Sequence, residues 1–165
     1  MDKPIFVLDA NVFVEAKNRY YAFDIAPKFW DSLIYHANIG HIESIDRIKD
    51  ELQRGKDDLA EWATGDFHSA FVSTDKEDII ENFKKIMEWV NAQEQFTEAA
   101  KSDFASGADG WLIAYAKTKD RIIVTHEVFD PKIRRKAPIP NVCKEFKIEF
   151  IDTFEMLRRL KVKFH

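Results

Sequence analysis

Hydrophobic and polar positions along this chain follow two periods, one for strands and one for helices. The run Ile5-Phe6-Val7-Leu8 is unbroken and ends at Asp9, as expected of a short strand buried on both faces of a parallel sheet. Between Pro27 and His36, residues Phe29, Trp30, Leu33 and Ile34 recur at helical spacing, predicting a helix with proline in its first turn. After Gly40, Ile42 to Ile45 reads as a second short strand, and Ser44 as the cap of a helix from Ile45 to about Arg54 that Gly55 stops. From Asp57 to Lys101 the apolar residues Leu59, Trp62 and Ala63, then Ile79, Ile80, Phe83, Ile86, Met87 and Val90, give at least two amphipathic helices. A helix over Ala108 to Lys117 and a buried strand over Arg121 to Thr125 follow, and Pro138, Pro140 and Asn141 mark an irregular loop. Phe146 to Ile151 reads as a last strand, and Thr153 to Lys161 as a closing helix capped by Thr153. Strands separated by helices imply parallel crossovers, hence an α/β fold: a three-layer α/β/α sandwich around a mainly parallel central sheet.

Composition narrows the class. With 165 residues the chain has the size of one domain, 1–165, and 45% hydrophobic with 33% charged residues describes a globule that needs no staples. The longest apolar runs fall far short of the roughly 20 residues that cross a bilayer, so no membrane association is expected. Met1-Asp2-Lys3-Pro4 lacks the basic start and cleavage site of a signal peptide, which assigns the chain to the cytoplasm. Cys143 is the lone cysteine, ruling out an internal disulfide and a thiolate metal cluster and suiting a plain buried role. A net charge of −4 argues against a broad phosphate-binding surface, leaving only local basic runs, Lys132 to Lys136 and Arg158 to Lys163.

In open parallel sheets ligands gather beyond the carboxyl ends of the strands. Asp9 directly follows the first strand, and Glu127 follows the strand Ile122 to Val124 in Thr125-His126-Glu127. Glu51 borders the apolar helix face of Ile45, Ile48 and Leu52, and Asp109 opens the helix Ala108-Asp109-Gly110-Trp111. Converging carboxylates repel one another unless a divalent cation lies between them, and an all-oxygen set suits Mg²⁺ or Mn²⁺. Such an ion activates water for phosphodiester hydrolysis. Each acid alone also has a plain reading. Asp9 is a helix N-cap, Ser106 and Asp109 have capping-box spacing, Glu51 is a solvated helix acid and Glu127 a loop or capping residue. Their joint placement carries the weight.

The four motifs together resemble the PIN-domain family of ribonucleases, which includes the VapC-like toxins. Leu8-Asp9-Ala10-Asn11-Val12-Phe13 matches the first motif, Asp50-Glu51-Leu52 the second, Ala108-Asp109-Gly110-Trp111-Leu112-Ile113-Ala114 the third and Ile123-Val124-Thr125-His126-Glu127 the fourth. The likeness spans nearly the whole chain. Thr-His-Glu stands where the family often has Thr-Asn-Asp, and with Ile139-Pro140-Asn141-Val142-Cys143 it is similar to an uncharacterised PIN-like branch. The resemblance implies a PIN-like fold and a cytoplasmic Mg²⁺- or Mn²⁺-dependent endoribonuclease, often the toxin of a toxin-antitoxin pair and commonly a homodimer. Asp9, Glu51, Asp109 and Glu127 would hold the metal, and Asn11, Thr125, Arg134 and Arg135 would contact the RNA. His36, His41, His68 and His165 lack metal spacing, and His126 sits between strand-end residues that point the other way. The tryptophans read as core. Two alternatives stay open: a noncatalytic binding or scaffold module on the same fold, and a structure-specific DNA nuclease.

Overall fold

A computed structural model describes residues 3–164. The expectations placed on Met1, Asp2 and His165 lie outside that range. Among the described residues five strands form one parallel sheet: β1 (Phe6–Leu8), β2 (Ile42–Ile45), β3 (Phe71–Val72), β4 (Ile122–Val124) and β5 (Phe150–Ile151), in the spatial order β3-β2-β1-β4-β5. Phe6 pairs with Ile42 on one side and Ile122 on the other, so β1 is central, and all three of its side chains are buried. An apolar run with no polar face is stable only where helices cover both sides of the sheet. The helices are α1 (Ala10–Glu15), α2 (Pro27–Asn38), α3 (Asp46–Arg54), α4 (Asp58–Thr64), α5 (Glu77–Ala92), α6 (Glu98–Ser106), α7 (Asp109–Lys119), α8 (Ile139–Phe146) and α9 (Thr153–Arg159). This is the three-layer α/β/α arrangement that the hydrophobic periods imply.

The local departures have physical causes. Ser44 does not cap α3; its buried hydroxyl donates to the Leu8 carbonyl at 2.7 Å and ties β2 to the end of β1. Phe71 and Val72 make a strand only by pairing with Ser44 and Ile45, because two half-buried residues carry no period of their own. The segment around Pro138 and Pro140 is not an irregular loop. Pro138 is extended and Pro140 lies in the first turn of α8, where a missing N–H costs nothing. That helix runs through Phe146, so the last strand shrinks to Phe150–Ile151. Asp152, not Thr153, caps α9, accepting from the Glu155 amide at 2.8 Å. A π-helical turn, Ala16–Tyr20, extends α1, and Gly40 takes φ 84° to turn the chain from α2 into β2.

Trp30 is buried in the core, as expected, and Trp62, Trp89 and Trp111 are partly buried against it. Trp62 stacks on Phe67 at 4.5 Å and meets Trp30 at 4.8 Å, while Trp111 stacks on Phe83 at 3.9 Å. α5 packs along α7 at this last pair, and Gly110 permits the approach: a Cβ there would lie 2.9 Å from Phe83 Cε2 and 3.2 Å from Phe104. Phe83 has little room to yield because Trp111 covers its face. Gly110→Ala should therefore destabilise the chain by about 1–3 kcal/mol despite alanine's better helix propensity. Urea unfolding measures this, and a neutral or stabilising result would mean that the α5–α7 packing is loose.

Candidate active site

From β1 the chain builds outward through β2 and β3, then returns to the other side of β1 for β4 and β5. The loops leaving β1 and β4 therefore diverge, and a crevice opens at their carboxyl ends. Asp9 is the first residue beyond β1, and its amide donates to the Val124 carbonyl at 3.0 Å. Its carboxylate caps α1, accepting from the Ala10 amide at 2.7 Å through Oδ1 and from the Thr125 hydroxyl at 2.9 Å through Oδ2. The plain reading as an N-cap and the functional reading thus share one side chain, only 4% exposed.

Thr125 links the two loops. Its hydroxyl donates to Asp9 and accepts from Asn11 Nδ2 at 3.4 Å and from the Glu127 amide at 3.1 Å, while Asn11 Oδ1 accepts from the His126 amide at 3.2 Å. A hydroxyl has one proton and two lone pairs, so all its bonding capacity is used. Thr125 and Asn11, expected to contact substrate, are hydrogen-bonded to each other and to Asp9, His126 and Glu127 in this structure. His126 turns away: its Nε2 lies 2.8 Å from both the Tyr20 and Thr153 hydroxyls, and burial pushes its pKa down.

Glu127 is held by the helix that the two prolines begin. Its Oε1 accepts from the Ile139 amide at 3.1 Å, at the start of α8, and its Oε2 lies 3.4 Å from Lys136 Nζ. An amide left unpaired in the first turn of a helix is a natural partner for a carboxylate. Asp109 opens α7 without capping it. The capping box with Ser106 does not form, because that hydroxyl donates to Asp103 O at 3.3 Å within α6. Glu51, half-buried on α3, faces the Ala108 amide.

These placements crowd negative charge. Burial, then Asp109 and Glu127, hold the Asp9 carboxyl well above the usual carboxylate range against the pull of Thr125 and Ala10. Burial, then Glu127, push Asp109 up to about 7; Lys136 draws it down and Glu51 raises it further. Burial also raises Glu51, and the Ala108 amide counters it. Asp9, Asp109 and Glu127 therefore share one field, and Glu51 joins it through Asp109. Among the described residues no three His, Cys, Asp or Glu side chains stand at the spacing of a ready-made metal cage.

Asp109 and Asp103 line a cavity of about 190 Å³ together with Arg135, Lys136, Ala100 and Phe104. Arg134 is exposed on the same loop, and its carbonyl accepts from the Thr97 amide at 3.0 Å, pinning the loop to the start of α6. Cys143 is buried, and its thiol is pushed up to about 12 by burial, which leaves it inert. The Ile139 amide and the Tyr20 and Thr153 hydroxyls support the site without any motif that marks them in the sequence. Pro140 in a first helical turn is the one available signal for the first of them.

A family model described as "Domain of unknown function (DUF4411)" matches residues 6–164. No curated protein matches the chain in sequence. Among solved structures it is similar to a chain of VapBC2 from Rickettsia felis, a complex bound to a DNA fragment from their promoter, with TM-score 0.53 and 16% identity over 90% of this chain and 98% of that one. It is similar to FitAcB from Neisseria gonorrhoeae with TM-score 0.55 and 16% identity over 89% of this chain and 96% of that one. FitAB bound to an IR36 DNA fragment gives TM-score 0.55 and 14% identity over 98% of this chain and 99% of that one. At such identities the likeness is one of fold, and it agrees with the PIN-like arrangement expected from the motifs.

The raised carboxyls couple folding to pH. An acid whose folded pKa exceeds its unfolded value binds more protons in the native state, so stability falls as pH rises between the two values. For Asp109 that window runs from 3.8 to about 7. In chelator-treated buffer the melting temperature should fall from about pH 4 to pH 7, and Asp109→Asn should flatten the decline and raise the melting temperature at neutral pH. A parallel pH profile in the variant would show that Asp109 is not crowded.

Proposed function

This chain belongs to the family described as a domain of unknown function (DUF4411), and we propose that it is a metal-dependent endoribonuclease of the PIN type. One observation supports the reading: the Asp9 and Asp109 carboxyls are raised by burial and by neighbouring acids, Glu127 acting on both of them. Surface acids with no common task would spread apart, whereas Asp9 and Glu127 are held in place by bonds to Ala10, Thr125 and Ile139.

The donor set fits a hard divalent cation in kind. It is all oxygen, it carries uncompensated charge, and Asp9 keeps lone pairs beyond its two hydrogen bonds. Mg²⁺ and Mn²⁺ sites commonly use one or two carboxylates with waters and substrate phosphate, so a closed protein cage is not required. Asp9 and Asp109 are the principal ligands proposed, with Glu127 and Glu51 secondary. The ion, when bound, lowers the pKa of a water and neutralises charge on the phosphate under attack. The chain's own residues do the rest. Thr125 and Ala10 fix the Asp9 carboxylate, the Ile139 amide orients Glu127, and Lys136 with Arg135 offers cations beside Asp109 for a phosphate oxygen. The fold shared with VapBC2 and FitAB, together with the sequence's resemblance to VapC-like toxins, supports a role as the toxin of a two-protein pair, with an antitoxin as partner and a homodimer as its assembly. The open spacing of the acids favours one competing reading, a noncatalytic module. Titration with Mn²⁺ separates the two, because a module without a site shows no carboxylate-dependent binding.

Asp9→Asn and Asp109→Asn should each lower Mn²⁺-dependent RNA cleavage by at least about 100-fold while the circular dichroism stays native. Glu127→Gln should lose less and recover with added Mn²⁺, since Lys136 already compensates that side chain and Asp9 holds an oxygen close to the backbone. Full activity in both aspartate variants would remove the site, and a Glu127→Gln enzyme still dead at saturating Mn²⁺ would reverse the ranking.

The exposed loop supplies a second test. Replacing Arg134 and Arg135 with Ala should weaken RNA binding and lower the slope of log affinity against log salt by about 0.7 for each phosphate set free. Affinity and slope both unchanged would leave these arginines as solvated surface.

A further inference from the structure

His126 stands between Thr125 and Glu127, yet its imidazole leads away from the acids to a second polar cluster. Beyond Thr125, whose amide donates to the Ile151 carbonyl at 2.9 Å, the chain leaves the sheet ladder. The next two amides donate to side chains, His126 to Asn11 Oδ1 at 3.2 Å and Glu127 to the Thr125 hydroxyl at 3.1 Å. Bonds to side chains hold a short segment only as firmly as those side chains are themselves held, so the direction of this turn depends on what anchors the His126 ring.

That anchor is closely defined. His126 Nε2 lies 2.8 Å from the Tyr20 hydroxyl and 2.8 Å from the Thr153 hydroxyl, and these two hydroxyls bond to each other. An imidazole nitrogen has one bonding site, so both partners are served only in a narrow range of ring orientations. The rings of Tyr20 and Phe154 lie 6.0 Å and 6.2 Å from that of His126 and 5.4 Å from each other, which closes the cluster with apolar surface. Thr153 is buried, and its hydroxyl is spared for this bond because Asp152 caps α9 in its place. Tyr20 ends the π-turn, whose last bond runs from the Tyr21 amide back to the Ala16 carbonyl at 2.7 Å. The wider turn changes where Tyr20 points, and turns of this kind are rare and recur at functional sites. Lys17 of the same turn is tied to Asp57 and Asp58 at the start of α4, so the turn is held from both sides.

We propose that His126 is a positioning residue for the acid crevice: held by Tyr20 and Thr153, it fixes its own amide on Asn11, and through Asn11 the Thr125 hydroxyl on Asp9. The proposal rests on the nuclease reading and deepens it, assigning the preorganisation of Asp9 to a cluster outside the crevice. His126 acts through other side chains and needs no contact with the ion or the RNA. Loss of an outer partner of a metal ligand weakens metal binding or activity by about 10–100-fold, and His126 stands further out than such a partner, so the low end applies.

In the full chain, His126→Phe keeps a ring and removes Nε2. Mn²⁺ affinity, read from the electron paramagnetic resonance of the unbound ion, should fall about tenfold, while KM for RNA at saturating Mn²⁺ stays within about twofold of the parent. A merely structural role would lower the melting temperature without that split. Tyr20→Phe combined with Thr153→Val removes both hydroxyls, keeps the imidazole and should reproduce the loss, so the test stands even where His126→Phe does not fold. Asn11→Ala breaks the relay at its middle, and adding His126→Phe to it should weaken Mn²⁺ binding by no more than about twofold further; effects that multiply would overturn the inference. Mn²⁺ affinity within about twofold of the parent in His126→Phe and in the two-hydroxyl variant would overturn it too, and so would a KM that rises about tenfold with Mn²⁺ affinity unchanged, which would make His126 an RNA contact. The metal-free chain separates the two claims, because a proton–nitrogen correlation spectrum should show the Asn11 carboxamide shifted in the two-hydroxyl variant. A shifted carboxamide in a chain whose parent neither binds Mn²⁺ nor cleaves RNA sinks the nuclease and keeps the positioning contact. Mn²⁺-dependent cleavage by the parent with an unshifted carboxamide in the variant sinks the positioning role and keeps the nuclease.

Discussion

The Thr125 hydroxyl stands where the two halves of the sheet part, and the geometry of the crevice follows from the bonds it makes. It donates to Asp9 from the loop after β1 and accepts from Asn11 and the Glu127 amide. Without a donor between them, carboxylates on neighbouring loops would move apart or protonate. Backbone pairing of β1 with β4 brings the loops close, and this hydroxyl sets which way the side chains face once they are close.

Holding that much charge together works against folding, and the surrounding structure supplies the opposing free energy. β1 is buried along its whole length, the α5–α7 packing closes on Gly110, and Arg47 lies 3.9 Å over the Trp111 ring, one residue beyond that glycine. Rigid packing under Asp109 keeps the carboxyl from relaxing into solvent, so burial is the first cause of its raised pKa and Glu127 the second. Lys136 offsets part of the repulsion from the rim. A site built this way favours whatever brings positive charge, which is why the same arrangement reads both as a strained native state and as a seat for a divalent ion.

The segment from Glu127 to Ile139 connects these effects. It begins with a carboxylate, presents Arg134, Arg135 and Lys136, and ends at the amide that holds its own first residue. Anchors at Asn141, Thr97 and Gln95 make it an ordered strip rather than a free loop. VapBC2 and FitAB share the fold at low identity. The chemistry proposed for this chain therefore rests on its own side chains.

Much of the architecture was legible from residue order. An apolar run ending at Asp9, a second ending at Thr125, and helical spacing between them imply a parallel sheet with acids at its carboxyl edge, because burial on two faces removes every polar position from a strand. Local chemistry misled where tertiary contacts outweighed it. Ser44 and Thr153 carry capping side chains yet bond to Leu8 O and His126 instead, and Pro138 and Pro140 suggest a loop where a helix starts. Phe71–Val72 had no signal at all, since its strand character comes from its neighbour. Sequence by itself determined which residues carry charge and which segments must be buried, because periodicity and residue type are properties of the chain. Only the tertiary structure decided that Asn11 bonds to Thr125, that Ile139 holds Glu127 and that Tyr20 and Thr153 hold His126, because each depends on how separate segments are brought together in space.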